Sequence, residues 1–68
     1  MKRENYQGFM ERGRVAEVTD EGYVVESLDR KGIVSPPLRT IAVSGHRKGD
    51  MVLFVLFGDG TGMIIAGM

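Results

Sequence analysis

Side chains capable of acid–base, nucleophilic or metal chemistry are few and scattered along these 68 residues. His46 is the single histidine, and Ser44 stands two positions before it. A serine–histidine pair also needs an orienting acid and an oxyanion site, and the spacing supplies neither. Gly45, Arg47 and Lys48 around His46 mark a solvated loop. Asp50 and Asp59 form a nominal carboxylate pair, yet each adjoins glycine at a turn, where a short acceptor side chain caps backbone N–H groups. The string Gly58-Asp-Gly-Thr-Gly62 leads into a strand-like run and lacks the Lys-Ser/Thr ending of a phosphate loop. With no cysteine and one histidine there is no zinc ligand set and no disulfide. The residue inventory therefore reads as a non-enzyme, with no catalytic residue, no cofactor and no metal.

Phosphate binding is the other chemistry within reach. Small OB barrels bind single strands through a basic groove with aromatic stacking platforms. Arg12, Arg14, Arg30, Lys31, Arg39, Arg47 and Lys48 would supply charge, and Tyr23 a platform. Against this, Glu11, Glu17, Asp20, Glu21, Glu26 and Asp29 interleave with those bases, and nine basic residues balance nine acidic ones overall. A nucleic-acid-binding OB module is thus an alternative that the charge pattern does not favour.

The elements that would position these groups are strands. Met51-Val-Leu-Phe-Val-Leu-Phe57, the turn Gly58–Gly62 and Met63-Ile-Ile-Ala66 read as a hairpin rich in β-branched and aromatic side chains. Arg14–Thr19 and Tyr23–Leu28, joined by Asp20-Glu21-Gly22, read as another. Val15 and Val18 fall on opposite phases unless a bulge intervenes, for which Gly13 is well placed. Ile33-Val34-Ser35 would add a very short strand before Pro36-Pro37 stops the ladder, and Leu38–Val43 one more. The expected fold is all-β: a small five- to six-stranded antiparallel barrel, OB or SH3-like, over residues 13–68. Residues 1–12, with Tyr6, Phe9 and Met10 among charges, read as an N-terminal arm.

A domain this small buries only about 60 % of its unfolded surface, so self-association or docking is the expected source of further stability. No run approaches the ~18 apolar residues of a spanning helix, and Met-Lys-Arg-Glu-Asn has no secretory apolar core. A soluble protein made in the cytoplasm, with no membrane partner, is expected.

Gly13-Arg-Val-Ala-Glu-Val18, the hairpin to Tyr23-Val-Val-Glu26, Lys48-Gly-Asp-Met-Val-Leu-Phe-Val-Leu-Phe57 and the ending Met63-Ile-Ile-Ala-Gly67 together resemble the small OB-type barrels of phage and phage-like contractile tail baseplates. Members of that family open with a Gly-x-Val strand, carry a Gly-Asp-x-Val strand running to Phe, and turn on a Gly/Asp segment. They usually have a longer middle segment or a following spike or hydrolase domain, which this sequence lacks. The resemblance implies a minimal, non-catalytic adaptor of a baseplate, hub or head-to-tail junction, located in the virion or tail particle. It also implies a homo-oligomer or mixed rings with other tail proteins.

No residue of Met51–Phe57 is polar on either phase of the pleat, so one face can fill a core while the other must find a second apolar surface, either on a partner or on the arm residues Tyr6 and Phe9 folded back within one chain. The candidate interface residues are Tyr6, Phe9, Met10, Met51, Leu53, Phe54, Phe57, Met63 and Met68.

Overall fold

The computed structural model describes residues 9–41 and 45–68. Its strands are β1 (Phe9–Thr19), β2 (Gly22–Ser27), β3 (Arg39–Thr40), β4 (Met51–Leu56) and β5 (Gly62–Gly67). They form one sheet in the order β2-β1-β4-β5-β3, curled into a half-barrel, with no helix among the described residues. The all-β reading and both hairpins are therefore present.

Three features differ from the sequence expectation. First, the segment read as an arm is already strand from Phe9, because Phe9–Arg14 pair antiparallel with Leu56–Met51. Charge at Glu11 and Arg12 obscured a strand whose apolar partner lies far along the chain. Second, the sheet is not wholly antiparallel: Arg39 and Thr40 of β3 run parallel to Met63 and Ile64 of β5. The chain reverses after β3 and again at the β4–β5 turn, so β5 returns in the direction of β3. Third, the strand expected over Leu38–Val43 is present as Arg39–Thr40, with Leu38 in an isolated bridge to Tyr23 and 42–43 lying outside the described residues; Ile33–Ser35 contributes an isolated bridge, Val34 to Glu26, rather than a sixth strand.

Phase along β1 is set by a bulge between Val15 and Glu17, not at Gly13. One extra residue at Ala16 reverses the alternation. Val15 therefore faces the core opposite Val25, and Val18 returns to the same side opposite Tyr23 at the sheet end. Gly13 has another task. A Cβ there would collide with the Val25 side chain and lie 2.7 Å from the Phe54 ring, so the missing side chain makes the space in which that ring sits.

The core is Val15, Val25, Leu38, Val52, Phe54 and Ile64, with Tyr23 and Leu56 packed against it. This decides the phase of β4: Val52 and Phe54 point into the core, while Met51, Leu53 and Val55 alternate to the other side, where Val55 is itself buried at 9 % exposure. At the far side of the sheet, Tyr23 and Leu38 exchange two backbone hydrogen bonds of 2.8 Å. Gly22 permits this approach, having φ +142° and no room for a Cβ beside the Leu38 carbonyl.

Substituting Gly13→Ala is expected to lower stability by about 1–3 kcal/mol, the usual cost of overpacking a filled core. Because the Phe54 ring is one of the two side chains in the way, beside Val25, the same substitution is expected to cost less in a Phe54→Leu background. Urea midpoints of the four chains measure this; equal costs in both backgrounds would contradict it.

Candidate functional site

The outward face of β1, β4 and β5 is built by register. Met10 stands opposite Val55, and Val55 opposite Met63; Arg12 stands opposite Leu53, and Leu53 opposite Ala66. Arg14 stands opposite Met51, whose carbonyl accepts the Met68 N–H at 2.9 Å. Cross-strand partners share a face. Three rungs therefore carry Met10, Val55 and Met63, then Leu53 and Ala66, then Met51 and Met68, with Arg12 and Arg14 along the β1 margin and Arg39 beside Met63 on β3. Met10 is 62 % and Met68 68 % exposed, Phe57 at the end of β4 is 39 % exposed, and Met51, Leu53 and Met63 are half-buried.

The structure thus brings Met10, Met51, Leu53, Met63 and Met68 onto one surface. It removes Phe54, which is 0 % exposed in the core opposite Glu11 and Ile64, so Phe54 is a packing residue and not available to a partner. Phe9 opens β1 opposite Leu56. Tyr6 lies outside the described residues.

Sequence reasoning missed Glu11. It follows the inward phase of Gly13 and Val15 and is only 6 % exposed. Its carboxylate accepts the Ser27 hydroxyl at 2.8 Å and the Arg30 guanidinium at 3.2 Å (Nε) and 2.5 Å (Nη2). The Ser27 oxygen in turn accepts the N–H groups of Asp29 and Arg30 at 3.1 and 2.9 Å. A buried carboxylate is tolerable because every one of these partners is supplied locally. Its spacing of two from Gly13 was the available signal. Beside it the Arg12 side chain donates to Asp29 at 3.2 and 2.6 Å, and the Arg12 backbone N–H donates to the same carboxylate at 2.9 Å. The guanidinium bonds, then the backbone bond, hold the Asp29 carboxyl below the ordinary aspartate range. Met10, Glu11, Asp29 and Arg30 line a cleft of about 450 Å³ at this end of the sheet.

The groups weighed for catalysis have structural occupations. The His46 ring lies edge-on to Tyr23 at 5.1 Å, its Nε2 is 2.9 Å from Thr40 Oγ1, and its backbone N–H donates to the Tyr23 hydroxyl at 3.2 Å. Tyr23 is engaged there, on the core phase, and does not stand out as a stacking platform. Ser44 lies outside the described residues. Asp50 accepts the Arg47 N–H at 2.8 Å, and Asp59 accepts the Thr61 N–H and hydroxyl at 3.0 and 2.7 Å, so the two aspartates serve separate turns at opposite ends of β4. Among the described residues no cluster of three His, Asp or Glu side chains could hold a metal ion, and the only ion pairs are Arg12–Asp29 and Arg30–Glu11. No protein-family model, curated protein or solved structure matches the chain.

Removing Arg30 leaves the Glu11 charge with one side-chain partner. Arg30→Met is expected to cost about 1–3 kcal/mol, less than for a fully buried pair because Arg30 is half exposed. Adding Glu11→Leu is expected to restore part of it; a double variant no more stable than Arg30→Met would contradict the account. Asp29 behaves differently. Its lowered carboxyl stabilises the fold above the ordinary aspartate range, and that contribution disappears as pH falls through the lowered value. The stability gap between the natural chain and Asp29→Asn is therefore expected to close in acid, as a pH series of urea midpoints would record.

Proposed function

We propose that this chain is a structural, non-enzymatic module that works by assembly, its outward β1-β4-β5 face packing against further copies of itself and, through them, against other proteins of a phage or phage-like tail. The fold we assign is an OB-type barrel. Support for it comes from the β3–β5 parallel pair and the β1–β4 antiparallel pair, together with the Tyr23–Leu38 hydrogen bonds that join the two margins of the curled sheet. A place in a baseplate, hub or junction, inside a particle made in the bacterial cytoplasm, rests on the sequence resemblance carried by Gly13–Val18 and Lys48–Gly67.

One observation carries the assembly reading: β4 is apolar on both phases, and the phase outside the main core cluster carries half-buried Met51 and Leu53 beside buried Val55. The outward phase continues across strands into Met10, Met63, Ala66 and Met68, giving an apolar surface on a chain with little core to spare. Methionine suits such a contact because its flexible, polarisable side chain fills irregular gaps. On the opposite flank Glu26 stands beside Arg14 on the outward side of β2 and Tyr23 is engaged, an arrangement with little appeal for a phosphate backbone.

The test is the solution mass over a concentration series, by sedimentation, with and without a single-stranded oligonucleotide. A defined oligomer indifferent to oligonucleotide is expected, and Leu53→Asp should convert it to a monomer that keeps its β-sheet circular dichroism. A natural chain that remains monomeric, or a Leu53→Asp chain that still assembles, would overturn the proposal. Oligonucleotide uptake that weakens steeply with salt would replace it with the nucleic-acid reading.

A further inference from the structure

The chain has five methionines and no cysteine, so all of its oxidisable sulfur is thioether. Four of the five, Met10, Met51, Met63 and Met68, fall on the outward β1-β4-β5 face by register, and the core cluster contains no sulfur at all. Among the described residues sulfur chemistry and core packing are therefore separated: reaction at these four thioethers alters one surface and leaves the packing of Phe54, Val52 and Ile64 alone.

From this separation we infer that the outward face is a modification site for peroxide-class oxidants, and that its oxidation switches docking off without unfolding the chain. This rests on the assembly reading above. In the step, the thioether sulfur attacks one peroxide oxygen and the O–O bond breaks. Sulfur gains the oxygen as a sulfoxide and is oxidised by two electrons, and hydrogen peroxide leaves as water. The product side chain carries a strong S=O dipole where an apolar contact is needed. Burying that dipole without a donor is costly, so the sulfoxide face prefers water to a second copy.

The geometry sets the order of events. Met10 and Met68 are the most exposed and react first; Met51 and Met63 are half-buried and follow. Oxidant reaches Met10 and Met68 first in the free chain, where both are exposed, so oxidation traps the dissociated form by mass action. Reduction of the sulfoxides by a thiol-dependent methionine sulfoxide reductase would restore docking.

The experiment treats the purified chain with graded hydrogen peroxide and follows three readouts: sites of added oxygen by peptide mass spectrometry, melting by circular dichroism, and mass by sedimentation. Expected are early oxygen addition at Met10 and Met68, a retained cooperative melt, and loss of the oligomer as the four sites fill. A variant with Met10, Met51, Met63 and Met68 all changed to leucine, similar in volume, should assemble and ignore peroxide. An oligomer that survives full oxidation of the four sites, or a melt that collapses along with them, would overturn the inference. If the untreated chain is monomeric the assembly reading itself fails, and oxygen addition that spares the melt then shows the face-selective chemistry without its switching role.

Discussion

Everything else in this small sheet depends on how the Phe54 ring is accommodated against β1. The ring needs a position on the facing strand with no side chain, and Gly13 supplies it. With Phe54 inward, Val52 is inward two residues before it, and Met51, Leu53 and Val55 must point out. The same choice seats Gly13 opposite Val52 and Glu11 opposite Phe54, so Glu11 inherits an inward position that its charge would never select. The Ser27 and Arg30 partners then follow as the means of keeping that carboxylate satisfied. One aromatic ring thus ties together the core, the buried Glu11 carboxylate and the alternation of β4.

How much of this could be read from residues alone varied with distance along the chain. The two hairpins were legible, since turn glycines and aspartates flank runs rich in Val, Ile and Phe. The phase of Met51–Phe57 was not, because a run apolar on both sides carries no alternation to read, and only contact with Gly13 and Val15 resolves it. The bulge was anticipated in kind but displaced: Ala16, an ordinary residue, takes the extra position while Gly13 keeps regular register with Ser27 and Val52. The parallel β3–β5 pair escaped because β3 is two residues long and its partner is supplied by another part of the chain. At the candidate site the methionines were named, and the register added that they share one surface. Glu11 was passed over because a glutamate among Phe9, Met10 and Arg12 reads as part of a polar arm.

The charged residues divide along similar lines. Arg12 and Arg30 are tied to Asp29 and Glu11 at one end of the sheet, where they hold the β2–β3 link against the start of β1. Asp50 and Asp59 stabilise turns. Glu11, Arg12, Asp29, Arg30, Asp50 and Asp59 are thus engaged in holding loops and turns, while the outward face of β1, β4 and β5 carries methionine and leucine with Arg12, Arg14 and Arg39 along its margins.

The central pairing of the sheet joins residues from opposite ends of the chain, Phe9 with Leu56 and Arg14 with Met51. Each hairpin can form early, but the ladder between β1 and β4 must wait for the intervening loop to close, the hallmark of a high-contact-order fold. Until then Phe54 lacks its seat over Gly13, and β4 displays two apolar faces instead of one. Closing the β1–β4 ladder and covering the inner face of β4 are consequently the same event, so the strand most prone to mispairing is protected only once the long-range pairing has formed.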